Sequence, residues 1–232
     1  MRYLCLICDY DGTIARDGRC RPSTVEALKR VSASGRKLIL ATGRQLAELQ
    51  KVFPEHALFD RIVAENGAVL YRPANRESKV LAVPPPQEFV DKLRRHGVQP
   101  LSVGQSIVAT CCQFASTVLE VIRDMGLELH VILNKDAVMV LPSGVDKASG
   151  LQVALNELRL SPHNAVGVGD AENDDAFLDM CECSVAVANA LPAVKERVDL
   201  VTAGSHGAGV EELIEKLLSE DLASVAPRLK RH

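Results

Sequence analysis

The sequence lacks any apolar run of the roughly 20 residues needed to cross a bilayer, lacks a marked charge excess, and in its Cys111/Cys112 and Cys181/Cys183 pairs lacks the CxxC spacing and the neighbouring histidine of a metal site. Each absence removes a class of function. Lys plus Arg number 27 against 30 Asp plus Glu, a net charge of −3 that gives no general attraction to phosphate backbones or anionic membranes. Neither a nucleic acid nor a membrane is an expected partner, and small ligands stay open. Glycine-rich phosphate loops are missing too: neither GxGxxG nor GxxxxGK[ST] occurs, which argues against a dinucleotide oxidoreductase or a P-loop kinase. The opening "MRYLCLICDYDG" meets acid before any small-residue cleavage site, so export is not expected and the cytoplasm is the expected compartment. The seven cysteines are odd in number and sit mostly in apolar segments, as small buried hydrophobes of a reducing compartment would.

What is present is an alternation of strand and helix. "YLCLIC" reads as a buried strand, followed by a helix opened by a Ser23/Glu26 capping box and closed by Gly35. "KLILATG" is a second strand, "RQLAELQKVF" a helix with Leu46, Leu49 and Phe53 on one face, and "RIVAENGAVLY" a strand pair around an Asn-Gly turn. Near the C-terminus the pattern repeats: "SGLQVALNELRL" as a helix, "AVGVGD" as a strand, "DDAFLDM" as a helix, "SVAVAN" as a strand and "VEELIEKLL" as the last long helix. Such alternation implies an α/β fold on a parallel sheet covered on both faces. The texture breaks at "VPPPQEF", where three prolines suit a stiff connection, and "PSGVDK" supplies a return. Residues 84–143 between them read as helix, strand, helix, strand, strand, about the size of a small independent unit; the core is 1–83 and 144–232. The tail "SVAPRLKRH" reads as a solvated end.

In open parallel sheets the ligand crevice lies beyond the carboxyl ends of the strands. Asp9 and Asp11 end the first strand, Thr42 and Gly43 the second, and Asp170 ends "AVGVGD", with Asn173 and Asp174 just after it and Lys147 at the start of the helix leading into that strand. Clustered carboxylates raise one another's pKa unless a cation joins them, and Mg²⁺ accepts oxygen ligands of this kind together with a phosphate. Lys147 and the Thr42 hydroxyl would complete a phosphoryl site, and a carboxylate can act as nucleophile by forming an acyl phosphate. A plain alternative is that Asp9 and Asp11 cap the turn at Gly12. Arg44 is open between a substrate carboxylate and a solvated helical turn, and Arg94, Arg95 and His96 read as a solvated helix end.

Four ordered motifs, "DYDGT" at 9–13, "ATGR" at 41–44, Lys147 in "GVDKASGL" and "GDAENDDAF" at 169–177, resemble those of the haloacid dehalogenase superfamily of aspartate-nucleophile phosphohydrolases. The resemblance implies a Rossmann-like core with an inserted α/β cap of the type shared by phosphoglycolate and sugar-phosphate phosphatases, and "AENGA" at 64–68 looks like that subgroup. It implies Asp9 as nucleophile and Asp11 as acid and base. It also implies Mg²⁺ on Asp9, the Asp11 carbonyl, Asp170 and Asp174, and phosphate on Thr42, Gly43 and Lys147, with Asn173 orienting the loop. The substrate it implies is a small phosphorylated metabolite. A phosphomutase using the same aspartyl phosphate and a non-catalytic regulatory domain are the alternatives, and the oligomeric state stays open.

Overall fold

The computed structural model describes residues 1–134 and 136–225; the end of the tail read as a solvated terminus lies outside them. Strand β1 (Cys5–Asp9) is buried along its whole length, as its unbroken apolar run requires of a central parallel strand. A short hairpin of β2 (Ala15–Arg16) and β3 (Arg19–Cys20) leads to helix α1 (Pro22–Ala33). The expected capping box at Ser23 and Glu26 does not form. Pro22, with its φ already suited to a first helical turn, makes Arg21 the N-cap, and both candidate capping side chains bond elsewhere: Ser23 donates to Glu211 and Glu26 accepts from Lys29. Gly35 follows the helix at φ +86° and donates its N–H to the Ser32 carbonyl, a C-terminal stop of the expected kind.

Next come β4 (Lys37–Ala41), α2 (Leu46–Val52), β5 (Arg61–Ala64), β6 (Val69–Arg72) and β7 (Glu77–Val80). Strands β5 and β6 pair antiparallel around the Asn-Gly turn. There Gly67 cannot carry a side chain, because a Cβ would lie 1.8 Å from the Asp146 carbonyl oxygen. β7 was not foreseen in the sequence. All four of its residues are exposed, so no apolar alternation marks it.

The chain then leaves the large sheet and builds α3 (Gln87–Arg95), β8 (Leu101–Val103), β9 (Val108–Cys111), α4 (Ala115–Asp124), β10 (Leu129–Asn134) and β11 (Ala137–Pro142). These strands form a separate antiparallel sheet in the order β10-β11-β9-β8. Phe89, Leu93, Val118, Val121, Val138 and Val140 close its own core against the two helices. Arg94, Arg95 and His96 are exposed at the end of α3, as expected of a solvated helix end.

Returning, the chain forms α5 (Lys147–Leu158), β12 (Ala165–Gly169), α6 (Asp175–Met180), β13 (Cys183–Ala186), α7 (Pro192–Lys195), β14 (Leu200–Val201) and α8 (Gly207–Glu220). The large sheet runs β14-β13-β12-β1-β4-β5-β6-β7, parallel from β14 to β5. The two-residue period of the strands divides its core. Leu6, Leu38 and Val166 pack toward Leu28, Val31 and Leu213 on one face, while Ile7, Ile39 and Val63 pack toward Leu151 and Leu155 on the other. Cys5, Cys8, Cys181 and Cys183 are buried, whereas Cys112 is exposed. No helix among the described residues is long and apolar enough to cross a membrane. Parallel pairing of β12, β1 and β4 brings their carboxyl ends, and with them Asp170, Asp9 and Thr42, to one edge of the sheet.

Candidate active site

Asp9 is the last residue of β1 and only 4% exposed, so its carboxylate ends an apolar strand in a place where water cannot solvate it. Its partner is Lys147. The capping box at the start of α5, in which Asp146 and Ser149 bond reciprocally, fixes the first turn that carries this lysine. The Lys147 Nζ donates to Asp9 Oδ1 and to Asp174 Oδ1, each at 2.6 Å, and is itself buried. Asp174 is anchored from behind, because its Oδ2 accepts the N–H groups of Asp170 (2.9 Å) and Ala171 (3.1 Å). Asp170 follows β12 and accepts from the Thr13 hydroxyl at 3.3 Å. Carboxylate oxygens of Asp9, Asp170 and Asp174 lie within 4.8 Å of one another.

The electrostatics follow from that crowding. Burial, followed by repulsion from Asp174, pushes the Asp9 pKa well above the ordinary carboxylate value, against the opposing pull of Lys147. For Lys147, burial alone would lower the pKa, but Asp174 and Asp9 together outweigh it and hold the ammonium charged. Three carboxylates and one ammonium leave a buried excess of negative charge. Hard oxygen donors so close together suit Mg²⁺, which prefers a few carboxylates and completes its shell with water and phosphate.

Asp11 sits apart from this cluster, on the loop after β1. Both of its oxygens are taken by Arg44, from Nε at 2.6 Å and Nη2 at 2.7 Å, a bidentate pair that shares the Arg44 guanidinium with the face of Tyr10 at 5.4 Å. Sequence reasoning left Arg44 between substrate and solvent, and the structure pairs it with Asp11. Thr42 is fully buried, and its hydroxyl oxygen accepts the Arg44 N–H at 3.1 Å, which leaves its own hydrogen to donate. Gly43 lines the cavity beside it. Asn173 donates to the Asn66 side chain at 3.2 Å, while its Oδ1 is buried without a partner.

A cavity of about 320 Å³ opens over these groups. Its floor is Asp9, Asp11, Gly43, Arg44, Lys147 and Asn173; its roof comes from the smaller sheet through Ser102, Ile107, Ala109 and Met139. Strand period places Met139 on the opposite face of β11 from the buried Val138 and Val140. The structure thus resolves which of the "SIVATCC" and "AVMVLPS" side chains turn inward. The composition of those strands could not, since both of their faces are apolar. Gln45, whose side-chain amide donates to the Ser102 hydroxyl at 2.7 Å across the two sheets, was also missed; it bears no motif.

The family model for haloacid dehalogenase-like hydrolases matches residues 6–101 and 118–214, most of the chain and all of the floor residues. The chain belongs to this hydrolase family. Among curated relatives, a phosphoglycolate phosphatase of Methanothermobacter thermautotrophicus is 30% identical over 218 residues, covering 90% of this chain and 96% of the relative. A second phosphoglycolate phosphatase, from Haloarcula marismortui, is 32% identical over 225 residues, covering 90% and 95%. Among solved structures, a haloacid dehalogenase-like hydrolase from Bacteroides thetaiotaomicron superposes with a TM-score of 0.79 at 20% identity, over 93% of this chain and 99% of that one. A sugar phosphatase of subclass IIB in the same superfamily gives 0.75 at 20% identity, over 92% and 98%. Both share the hydrolase's two-sheet architecture.

Proposed function

We propose that this hydrolase is a Mg²⁺-dependent phosphatase that cleaves a small phosphate monoester bearing a second anionic group, phosphoglycolate being the leading candidate. The observation that carries the reading is the buried Asp9 carboxylate at the end of β1, beside Lys147 and two further carboxylates, lining a cavity between the two sheets. Asp9 attacks phosphorus, forming an oxygen–phosphorus bond as the ester oxygen leaves with its electron pair and takes a proton from Asp11. Asp11 then removes a proton from water, which attacks the same phosphorus and frees Asp9 and inorganic phosphate. Thr42, Gly43 and Lys147 hold the phosphoryl oxygens, and Asn173 orients the loop after β12. The carboxylates of Asp9, Asp170 and Asp174 with the Asp11 carbonyl would hold Mg²⁺, which when bound supplies positive charge to offset that of the phosphoryl group.

Two features support a small acid as substrate. Two of the three Lys147 donors are on Asp9 and Asp174 and the third is assigned to the phosphoryl group, so Arg44 is the lining cation able to meet a substrate carboxylate, bidentately and at the cost of its bond to Asp11. The roof is largely apolar, with Ser102 already bonded to Gln45, and offers few partners to the hydroxyls of a sugar. The named relatives act in the same direction. Residues 84–143 serve in this reading as the cap that excludes bulk water. Phosphate release from a panel of small esters, with Mg²⁺ or chelator, in wild type and Asp9→Asn, tests it. Activity should fall at least about 10³-fold without the metal or without Asp9; turnover by Asp9→Asn, or indifference to the chelator, overturns the assignment.

A further inference from the structure

The turn that joins β8 to β9 carries Ile107 into the roof, and one buried carboxylate holds it. Glu65 directly follows β5 and opens the Asn-Gly turn, is 1% exposed, and sits at φ +52° with Asn66 at φ +50° beside it. Two successive non-glycine residues in the left-handed region cost energy that surrounding contacts must offset. Those contacts are on the opposite sheet. Glu65 Oε1 accepts the N–H of Gln105 at 2.9 Å, and Oε2 accepts the N–H groups of Ser106 at 2.8 Å and Ile107 at 3.0 Å. Three consecutive main-chain donors around one anion form a nest. The turn itself is closed by the Gly104 N–H on the Ile107 carbonyl at 2.8 Å, and the Ser106 hydroxyl donates to the Ala82 carbonyl at 2.7 Å, on the segment that enters the smaller sheet. The seat also dictates residue 104: a Cβ there would lie 2.7 Å from the carboxylate carbon and from both oxygens.

We infer that Glu65 is a positioning residue that docks the 104–107 turn and thereby sets Ile107 over the phosphoryl site. This deepens the phosphatase reading and rests on it for the catalytic consequence, though not for the contact itself. The neighbouring Asn66 joins the same segment to the floor and to the roof. It accepts from Asn173 at 3.2 Å and lies with its amide nitrogen 2.8 Å from the Met139 sulfur. A single short segment, 65–66, therefore sets the spacing between roof and floor. Its role is to hold a shape, so losing it should change how substrates are told apart more than it changes the chemical step.

Glu65→Gln turns an amide NH₂ toward N–H donors, and Gly104→Ala blocks the seat from the other side while leaving Glu65 in place. Amide hydrogen exchange followed by NMR, on the metal-free protein, should show Gln105, Ser106 and Ile107 exchanging at least about tenfold faster in both variants, with the amides of β1 and β12 unchanged. Steady-state kinetics should show the ratio of kcat/KM for phosphoglycolate to that for p-nitrophenyl phosphate falling at least about fivefold, mainly through KM, because the aryl ester fills the cavity without a closely placed Ile107. Wild-type exchange rates at the three amides in a folded Glu65→Gln protein overturn the docking contact. Faster exchange with an unchanged substrate ratio overturns its positioning role. If the wild type hydrolyses neither ester, the phosphatase reading fails, and the exchange experiment still decides the contact.

Discussion

Replacing Lys147 with Met keeps the length of the side chain and removes its charge from between Asp9 and Asp174, both 2.6 Å from the ammonium. Breaking a buried ion pair in this way typically costs about 3–5 kcal/mol, since the stranded charges have no solvent to turn to. The geometry makes a similar magnitude natural. Two carboxylates 4.8 Å apart, the outer limit of the Asp9, Asp170 and Asp174 cluster, repel by about 3.5 kcal/mol at an effective dielectric of about 20. Asp9, whose pKa burial and Asp174 already raise, can take up a proton in the variant and so limit the loss to the lower end of the range. For a chain of 232 residues a loss at that lower end, about 3 kcal/mol, corresponds to a fall in Tm of about 6–12 °C in chelator. Thermal unfolding followed by circular dichroism measures it. Mg²⁺ at a hundred times its Kd should return about 2.7 kcal/mol, and a second substitution, Asp174→Asn, should recover stability in chelator because it removes one of the repelling charges. A Lys147→Met protein whose Tm in chelator lies within about 2 °C of wild type would refute the view that this lysine is the resident counter-charge of the cluster.

Arg44→Ala removes the bidentate partner of Asp11 and the cation proposed for a substrate carboxylate, so kcat/KM for phosphoglycolate should fall about 10- to 100-fold while an ester without a carboxylate loses less; equal losses for both would show that Arg44 serves only Asp11. Glu157 on α5 is held at about 2 by hydrogen bonds from Arg72, on β6, and then from Arg61, on β5, with the Arg61 contact at 2.9 Å. The stabilisation from a depressed carboxylate is complete above its ordinary value of 4.5 and is lost as pH falls toward about 2. Glu157→Gln, a half-buried site screened by solvent, should therefore cost about 1 kcal/mol in urea unfolding at neutral pH, and its deficit should shrink steadily below about pH 4.5; a deficit independent of pH would place the effect in packing.

Much of the floor was legible because parallel sheets advertise their active edge: Asp9, Thr42 and Asp170 each follow an unbroken apolar run, and a charge or hydroxyl at the end of a buried strand requires a reason. Lys147 needed the order of the motifs, since a lysine at a helix start is commonplace until the strand beside it ends in acid. The roof was not legible. Its residues lie on strands with two apolar faces, one packed on α3 and α4 and one on the cavity, and periodicity alone cannot rank two similar faces. Pairings set by the fold were equally hidden. Ser23 and Glu26 have the spacing of a capping box, yet Pro22 starts the helix two residues earlier than a Ser23 cap would, and Glu211, distant by 188 residues, takes the serine. Arg44 and Asp11 are 33 residues apart, and Glu65 meets its nest 40 to 42 residues away. Such contacts depend on how β5 and the β8–β9 turn meet across two sheets, which no local pattern encodes. The division has a physical cause: the reaction needs particular side chains at strand ends, and those leave a motif. Substrate choice needs only a shape, and a shape can be held by main-chain donors gathered around one glutamate, whose own neighbours in sequence are merely a turn.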